Sequence, residues 1–248
     1  MQDKTVALVT GANRGLGFEI SRQLGQKGMV VLMGDRNPEN GVKAAEMLRG
    51  EGLDVRVITL DVSDGVSIES AVEIIESDFG RLDVLVNNAA LLLDIGVQPS
   101  ELAEDVLRTT FEVNFFGPYL LTKQLVPLLR KSDGGRIVNL STQVASLNQL
   151  ADPSSPLKED ICPAYQASKA ALNACTLVFA KELGSYGIKV NSVCPGWVMT
   201  DMGHEDLPDY GDTVRPLSPK EACEKVVALA IAPLSTGQFL SGGQTTSW

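Results

Sequence analysis

A single histidine, His204, occurs in the 248 residues. The four cysteines, Cys162, Cys175, Cys194 and Cys223, are scattered, with no C-x-x-C pair among them. One imidazole and four separated thiols do not form the clustered ligand set of a zinc site, so no metal centre is expected. The thiols are expected to stay reduced and to serve packing. Positive charge is also scarce, with 21 Lys+Arg against 31 Asp+Glu and a net charge of −10. Such a surface repels nucleic-acid phosphates and anionic lipid headgroups, which disfavours both as partners. No apolar run reaches the about 20 residues of a membrane span, and no basic segment leads into an apolar one at the start of the chain. The expectation is a soluble, cytoplasmic protein. Repeats and low-complexity linkers are missing too, so one domain covering residues 1–248 is expected.

What remains is ordinary globular material, 44% hydrophobic and 21% charged. Apolar strand-like runs fall at residues 6–9, 29–33, 55–60, 84–86, 136–140, 189–193 and 239–240. Helix-like segments lie between them, at 18–27, 41–50, 67–79, 101–130, 164–186 and 220–230. Strands too apolar for a one-sided sheet, alternating with helices, predict a parallel sheet covered on both faces. The expected fold is a single Rossmann-type doubly wound α/β domain with a seven-stranded parallel sheet. Two stretches, 146–163 and 197–218, read as long irregular loops, which in compact domains are usually functional.

The first run ends in Thr10 and leads into Gly11-Ala12-Asn13-Arg14-Gly15-Leu16-Gly17. Strand, glycine-rich turn and helix is the layout that cradles a pyrophosphate, because glycines let backbone approach and the helix start offers unpaired N–H groups. The spacing is G-x-x-x-G-x-G, not G-x-G-x-x-G, so the turn alone does not decide. The second run ends in Asp35-Arg36. A carboxylate about 20 residues past the glycines suits the ribose hydroxyls of NAD, and a basic residue there suits the 2′-phosphate of NADP. Asp35 speaks for NAD(H), Arg36 and Arg14 for NADP(H), and the carboxylate tips the reading slightly towards NAD(H). Further on, Ser63-Asp64 read as helix-capping residues, Asn87-Asn88-Ala89-Ala90 end the fourth strand, and Asn114 sits among phenylalanines. Ser141 and Thr142 end the fifth strand, and alternation lets one of the two face a given pocket. Tyr165 and Lys169 are one helical turn apart on one face. An ammonium beside a phenol lowers its pKa from about 10 and fits it to exchange a proton with an alcohol or carbonyl.

Taken together, these motifs resemble the short-chain dehydrogenase/reductase family from about Thr5 to Phe239. TGANRGLG matches the family's cofactor turn, which implies cofactor contacts at Gly11, Asn13, Arg14, Gly15, Leu16 and Gly17. Asp35 and Arg36 would flank the adenosine ribose, Asp61 and Val62 the adenine. NNAA matches N-N-A-G, with Ala90 in place of glycine, and brings in Asn88 and Ala89. Asn114, in V-N-x-x-G, matches the catalytic asparagine, and Tyr165 with Lys169 matches Y-x-x-x-K. The run from Asn191 to Thr200 matches the segment that cups a nicotinamide, with Pro195, Gly196, Val198 and Thr200 as contacts. The resemblance implies a NAD(P)-dependent oxidoreductase. In it Tyr165 donates the proton, Lys169 tunes Tyr165 and holds the ribose, and Asn114 holds a water linking Lys169 to solvent. A sensor or scaffold that binds the dinucleotide without turnover is the alternative.

Three departures from the family matter. Its usual second serine at the end of the fifth strand is Thr142 here. Carbonyl orientation is therefore assigned to Thr142, with Ser141 in reserve and Trp197 as an apolar substrate contact. The gap from Thr142 to Tyr165 is longer than the family commonly shows, by an extra segment of about 147–162 beside the pocket. That segment, and the Cys194–Met202 run, resemble the carbonyl-reductase-like branch. They imply a small, largely apolar ketone, aldehyde or secondary alcohol as substrate, and a monomer or homodimer rather than a tetramer. Third, Asp35 conflicts with Arg14 and Arg36 over the cofactor.

Overall fold

β1 (Val6–Thr10) lies at the centre of the sheet and pairs in parallel with both β2 (Val30–Asp35) and β4 (Val84–Asn87). Its side chains alternate: Val6 and Leu8 enter the core on one face, Ala7 and Val9 the core on the other. That two-sided burial is what its unbroken apolar sequence demands. In this computed structural model, residues 4–200, 202, 216–232 and 235–248 are described.

The remaining strands are β3 (Val55–Thr59), β5 (Arg136–Leu140), β6 (Lys189–Cys194), β7 (Phe239–Ser241) and β8 (Gln244–Thr245). They line up in the order β3-β2-β1-β4-β5-β6-β7-β8. One core packs α3 (Gly65–Phe79), α5 (Gly117–Leu129) and α7 (Pro163–Leu183) against the sheet. The opposite core packs α1 (Gly15–Gln26), α2 (Pro38–Gly50) and α8 (Pro219–Ile231). This is the doubly wound single α/β domain expected. Caps follow the sequence: Asn37 accepts from the Asn40 amide at the start of α2, Asp64 from Val66 at the start of α3, and Ser218 with Glu221 form a capping box on α8.

Two local expectations need correction, the strand count and the 146–163 loop, and two further segments gain detail. Among the described residues the sheet has eight strands, not seven, because β8 turns back antiparallel on β7. Gly242 and Gly243 have φ of +61° and +85°, which a two-residue hairpin of the I′ kind requires. β8 is short and exposed, so no apolar run marks it. The 101–130 segment, long for one helix and carrying Gly117-Pro118, is divided: α4 (Glu104–Phe111) passes into a π-helical turn, Glu112–Phe116, and α5 begins at Gly117. Gly117 is where α5 crosses closest, since a Cβ there would lie 2.5 Å from the Val62 carbonyl oxygen. Inside the 146–163 stretch there is a short helix, α6 (Leu147–Ala151), capped by Ser146. In the 197–218 stretch Val198 bridges Leu217, while residues 201 and 203–215, including His204, lie outside the described residues.

All four cysteines are free and buried. Among the described residues no His/Cys/Asp/Glu group could hold a metal, and no helix is long and apolar enough to cross a membrane.

Candidate active site

The C-terminal ends of β1 and β4 open a crevice where the strand order changes direction, the place where doubly wound sheets hold ligands. A cleft of about 470 Å³ occupies it. Its floor is the glycine turn, with Gly11, Asn13, Arg14, Gly15 and Leu16. Gly11 and Gly15 take φ of +62° and +56°, a region that side chains disfavour. Gly17 does not line the cleft. It stands behind the turn, where a Cβ would lie 2.2 Å from the Gly11 carbonyl oxygen. No side chain caps the N-terminus of α1, and its first turn carries no acidic residue. The unpaired amides and positive end of that helix suit a dinucleotide pyrophosphate.

Asn88 clips the end of β4 to this turn. Its Nδ2 donates to the carbonyls of Thr10 (2.8 Å) and Gly11 (3.1 Å), and its own amide and that of Ala89 donate to the Thr10 hydroxyl at 3.0 Å each. Asn87 turns inward instead. A buried chain of bonds runs from Asn87 to Asn139 (2.8 Å), then to Thr176 (2.8 Å) and Ser192 (2.8 Å). It ties β4, β5, α7 and β6 together beneath the cleft. Nothing local in the sequence marks it, because its members come from four separate elements.

At one end of the cleft stand Asp35, Arg36, Asp61 and Val62, joined by Asn37 and Asn40, which the sequence reading missed. The Asn-Pro step that caps α2 was their only signal. Asp35 is buried, and its carboxylate accepts from the Asn37 amide at 2.8 Å. Burial pushes its pKa up, while the Asn37 amide, Arg36 and Arg14 pull the other way.

Ser141, Tyr165, Lys169, Pro195 and Thr200 also line the cleft, together with Ala89, Ala90, Leu91 and Val113. Lys169 is buried. Its Nζ donates to the Leu140 carbonyl at 2.8 Å and lies 5.8 Å from the Tyr165 ring centre. Burial pushes Tyr165 above its ordinary value of 10, and pushes Lys169 down from 10.5 to about 8. The expected lowering of the phenol by the ammonium is therefore reversed in the protein alone, because loss of solvent outweighs the attraction of a charge beyond van der Waals contact.

The Lys169 shift has a consequence for stability. The unfolded chain keeps this proton up to pH about 10.5, the folded chain only to about 8. At this site the unfolded state thus binds more protons between those values, so Lys169 contributes a rise of stability with pH of at most about 1.4 kcal/mol per pH unit. Above about pH 9 the buried thiols of Cys162, Cys175 and Cys223, pushed up from 9.0 to about 12, contribute in the opposite sense. Lys169→Met is expected to remove its contribution, so that stability by urea unfolding between pH 8 and 10 rises less, or falls more, with pH than in the parent. An unchanged slope would show that Lys169 is not the group responsible.

Thr142 and Ser141 separate clearly. Ser141 is buried and its Oγ has no hydrogen-bond partner among the described residues. Thr142 is half-buried outside the lining, and its Oγ1 accepts from the Val144 amide at a long 3.4 Å. Asn114 also lies behind the wall, in the π turn. Its Oδ1 accepts from the Leu91 amide (2.7 Å), and its Nδ2 donates to the Leu91 carbonyl (2.8 Å) and the Ser168 hydroxyl (3.1 Å). Trp197, Gly196 and Val198 are not among the lining residues. The Trp197 carbonyl instead accepts from the Leu217 amide at 2.8 Å.

Comparison with known proteins follows the same pattern. The family model of the short chain dehydrogenases matches residues 5–211. The chain is 32% identical to (+)-neomenthol dehydrogenase of Arabidopsis thaliana, over 98% of this chain and 97% of that protein. It is 31% identical to carbonyl reductase [NADPH] 1 of Mus musculus, over 99% of each. Among solved structures, actinorhodin polyketide ketoreductase with NADPH superposes with a TM-score of 0.83 at 32% identity, covering 98% of this chain and 97% of that one. The family match over most of the chain and relatives alike end to end lead to one conclusion: the chain belongs to the short-chain dehydrogenase/reductase family, in its carbonyl-reductase-like branch.

Proposed function

We propose that this oxidoreductase transfers hydride between NAD(P)(H) and the carbonyl carbon of a small, largely apolar ketone, aldehyde or secondary alcohol, with cofactor and substrate on the one domain. The observation that carries this reading is the single cleft that joins the glycine turn and Asp35 at one end to Tyr165 and Lys169 at the other. The glycine turn and the α1 N-terminus would hold the pyrophosphate, Asp61 and Val62 the adenine, and the 195–200 segment with Thr200 the nicotinamide carboxamide. When bound, the nicotinamide supplies or accepts the hydride.

The chain's own residues then handle the proton. Burial keeps the Tyr165 phenol protonated, the state required to donate to a carbonyl oxygen that gains negative charge. Lys169, held by the Leu140 carbonyl, offers a positive charge to the phenolate left behind. The amide of Asn114 is fully engaged by Leu91 and Ser168, so a water linking Lys169 to solvent would rest on the Asn114 main-chain carbonyl. Of the two hydroxyls after β5, Thr142 is assigned to orient the carbonyl, with Ser141 in reserve: Thr142 is half-buried just outside the lining, whereas Ser141 lines the cleft with its Oγ enclosed. Leu91, Val113 and Met202 in the lining favour an apolar substrate.

Asp35 is assigned to discriminate between cofactors. A buried carboxylate at the ribose position repels a 2′-phosphate, and the exposed Arg14 and Arg36 attract one. The carboxylate, in the closer position, tips the preference to NAD(H). Oxidation of NADH and NADPH by a panel of aryl ketones and aldehydes tests both statements. Turnover of an apolar carbonyl compound is expected, and Asp35→Ala is expected to shift kcat/KM towards NADPH by at least about tenfold, or about 1.4 kcal/mol. A protein that binds the cofactors and oxidises neither would be a sensor. A native preference for NADPH beyond tenfold would overturn the role of Asp35.

A further inference from the structure

α7 carries Tyr165 in its first turn, yet nothing at its own start caps it: Cys162, in the cap position, makes no side-chain bond to the helix. An N-cap side chain ordinarily accepts from the second or third helical amide. Those are Ala164 and Tyr165, and both donate to Oδ2 of Asp94, the Tyr165 amide at 3.4 Å. Asp94 lies 71 residues before Tyr165, in the loop after β4, and is fully buried. Its other oxygen, Oδ1, has no hydrogen-bond partner among the described residues. An enclosed carboxylate is costly unless charge and donors offset it, and here the offset is the positive end of a 21-residue helix.

The same loop holds the other polar group of the site. Leu91 is gripped on both backbone atoms by Asn114, Asn114 reaches Ser168 on α7, and the Gly96 amide donates to the Ile161 carbonyl at 2.7 Å. The Ser168 hydroxyl donates in turn to the Tyr165 carbonyl at 2.8 Å, which closes a circuit of Leu91, Asn114, Ser168, Tyr165 and Asp94. It clamps the start of α7 to Leu91, which lines the same cleft as Tyr165.

We propose that Asp94 is the positioning residue for Tyr165, a cap supplied from outside the helix that fixes where the phenol stands. This rests on the role of Tyr165 given under the proposed function. Without the cap the first turn of α7 frays and the phenol loses alignment with a carbonyl, while the glycine turn and Asp35 stand on other elements and Lys169, a turn further along α7, stays held by the Leu140 carbonyl. Misplacement of a reacting group by about 1 Å costs around a hundredfold in rate.

The test compares Asp94→Ala, Asp94→Asn and Asp94→Glu with the parent and with Tyr165→Phe. It uses the aryl ketone and aldehyde panel, NADH binding by fluorescence, and hydrogen exchange across residues 163–170. Asp94→Ala is expected to lower kcat by about tenfold to a hundredfold, to leave the NADH dissociation constant within about twofold, and to speed exchange in the first turn of α7. Asp94→Asn keeps an acceptor oxygen in place and is expected to recover most of kcat. Asp94→Glu keeps the charge but displaces the oxygens, so it should also lose rate, and it carries the test if Asp94→Ala does not fold. Full kcat in Asp94→Ala or in Asp94→Glu overturns the proposal, as does a parallel loss of NADH affinity or an Asn variant no better than Ala. If the parent oxidises no cofactor, or Tyr165→Phe keeps its rate, the proposed function fails instead. Exchange at 163–170 still judges the cap, and unchanged exchange in the variants rejects it.

Discussion

Tyr165→Phe is expected to abolish turnover while NADH binds as before. The substitution removes one oxygen from a residue whose ring lies beside Lys169 in the cleft wall. The ring's packing survives, and the bond from Lys169 to the Leu140 carbonyl involves no atom of Tyr165. What disappears is the acid. Burial holds the phenol protonated, so at neutral pH it is a donor for a developing alkoxide; of the other buried titratable groups in the lining, Lys169 is held by the Leu140 carbonyl and Asp35 stands at the opposite end of the cleft. Loss of a positioned general acid costs about a hundredfold to ten-thousandfold. A fall in kcat of about a thousandfold, with an unchanged NADH dissociation constant and melting temperature, is the expected result. A variant that retains full rate would remove Tyr165 from the mechanism. One that loses affinity and rate together would assign it to binding.

Gly17→Ala is expected to have the second large effect, on the opposite face of the same turn. The added Cβ would lie 2.2 Å from the Gly11 carbonyl oxygen and 2.6 Å from the Asn88 Nδ2. The first is backbone and cannot swing aside. The second is the clip that joins β4 to the turn through Thr10 and Gly11. Either α1 moves off the turn or the clip breaks, and both take the helix N-terminus away from the pyrophosphate. Overpacking of this kind costs about 1–3 kcal/mol or more, and a domain of this size loses about 2–4 °C of melting temperature per kcal/mol. A melting temperature lower by at least about 4 °C and an NADH affinity weaker by about a hundredfold are expected, measured by calorimetry and fluorescence titration. Gly50→Ala is the control. Gly50 ends α2 with nothing within 4 Å of an added Cβ, so that variant should match the parent. Parent-like behaviour of Gly17→Ala would show that the turn does not need close contact.

The two predictions differ in how much of them was legible beforehand. Tyr165 was visible from spacing alone, because residues four apart on a helix share a face whatever surrounds the helix. The need for glycine at position 17 was visible only as one of three glycines near a strand end. Its cause, contact with a carbonyl six residues back and an amide on β4, is tertiary. The order of strands and helices could be read throughout, since a two-sided apolar strand and an amphipathic helix are local patterns. β8 and the π turn could not. The first is two exposed residues held by a Gly-Gly turn. The second is a helix locally unwound where Asn114 reaches across to Leu91 and Ser168.

By itself, the sequence determined the fold class, the family resemblance and which residue types line the two ends of the cleft, because these follow from periodicity and from motifs within single elements. Tertiary structure alone decided four matters: the enclosure of the Ser141 hydroxyl, the direction of the Tyr165 and Lys169 shifts, the two faces of the Asn87-Asn88 pair, and the capping of α7 by Asp94. Each depends on burial or on a partner tens of residues away. Desolvation and long-range hydrogen bonds have no period along the chain from which they could be read.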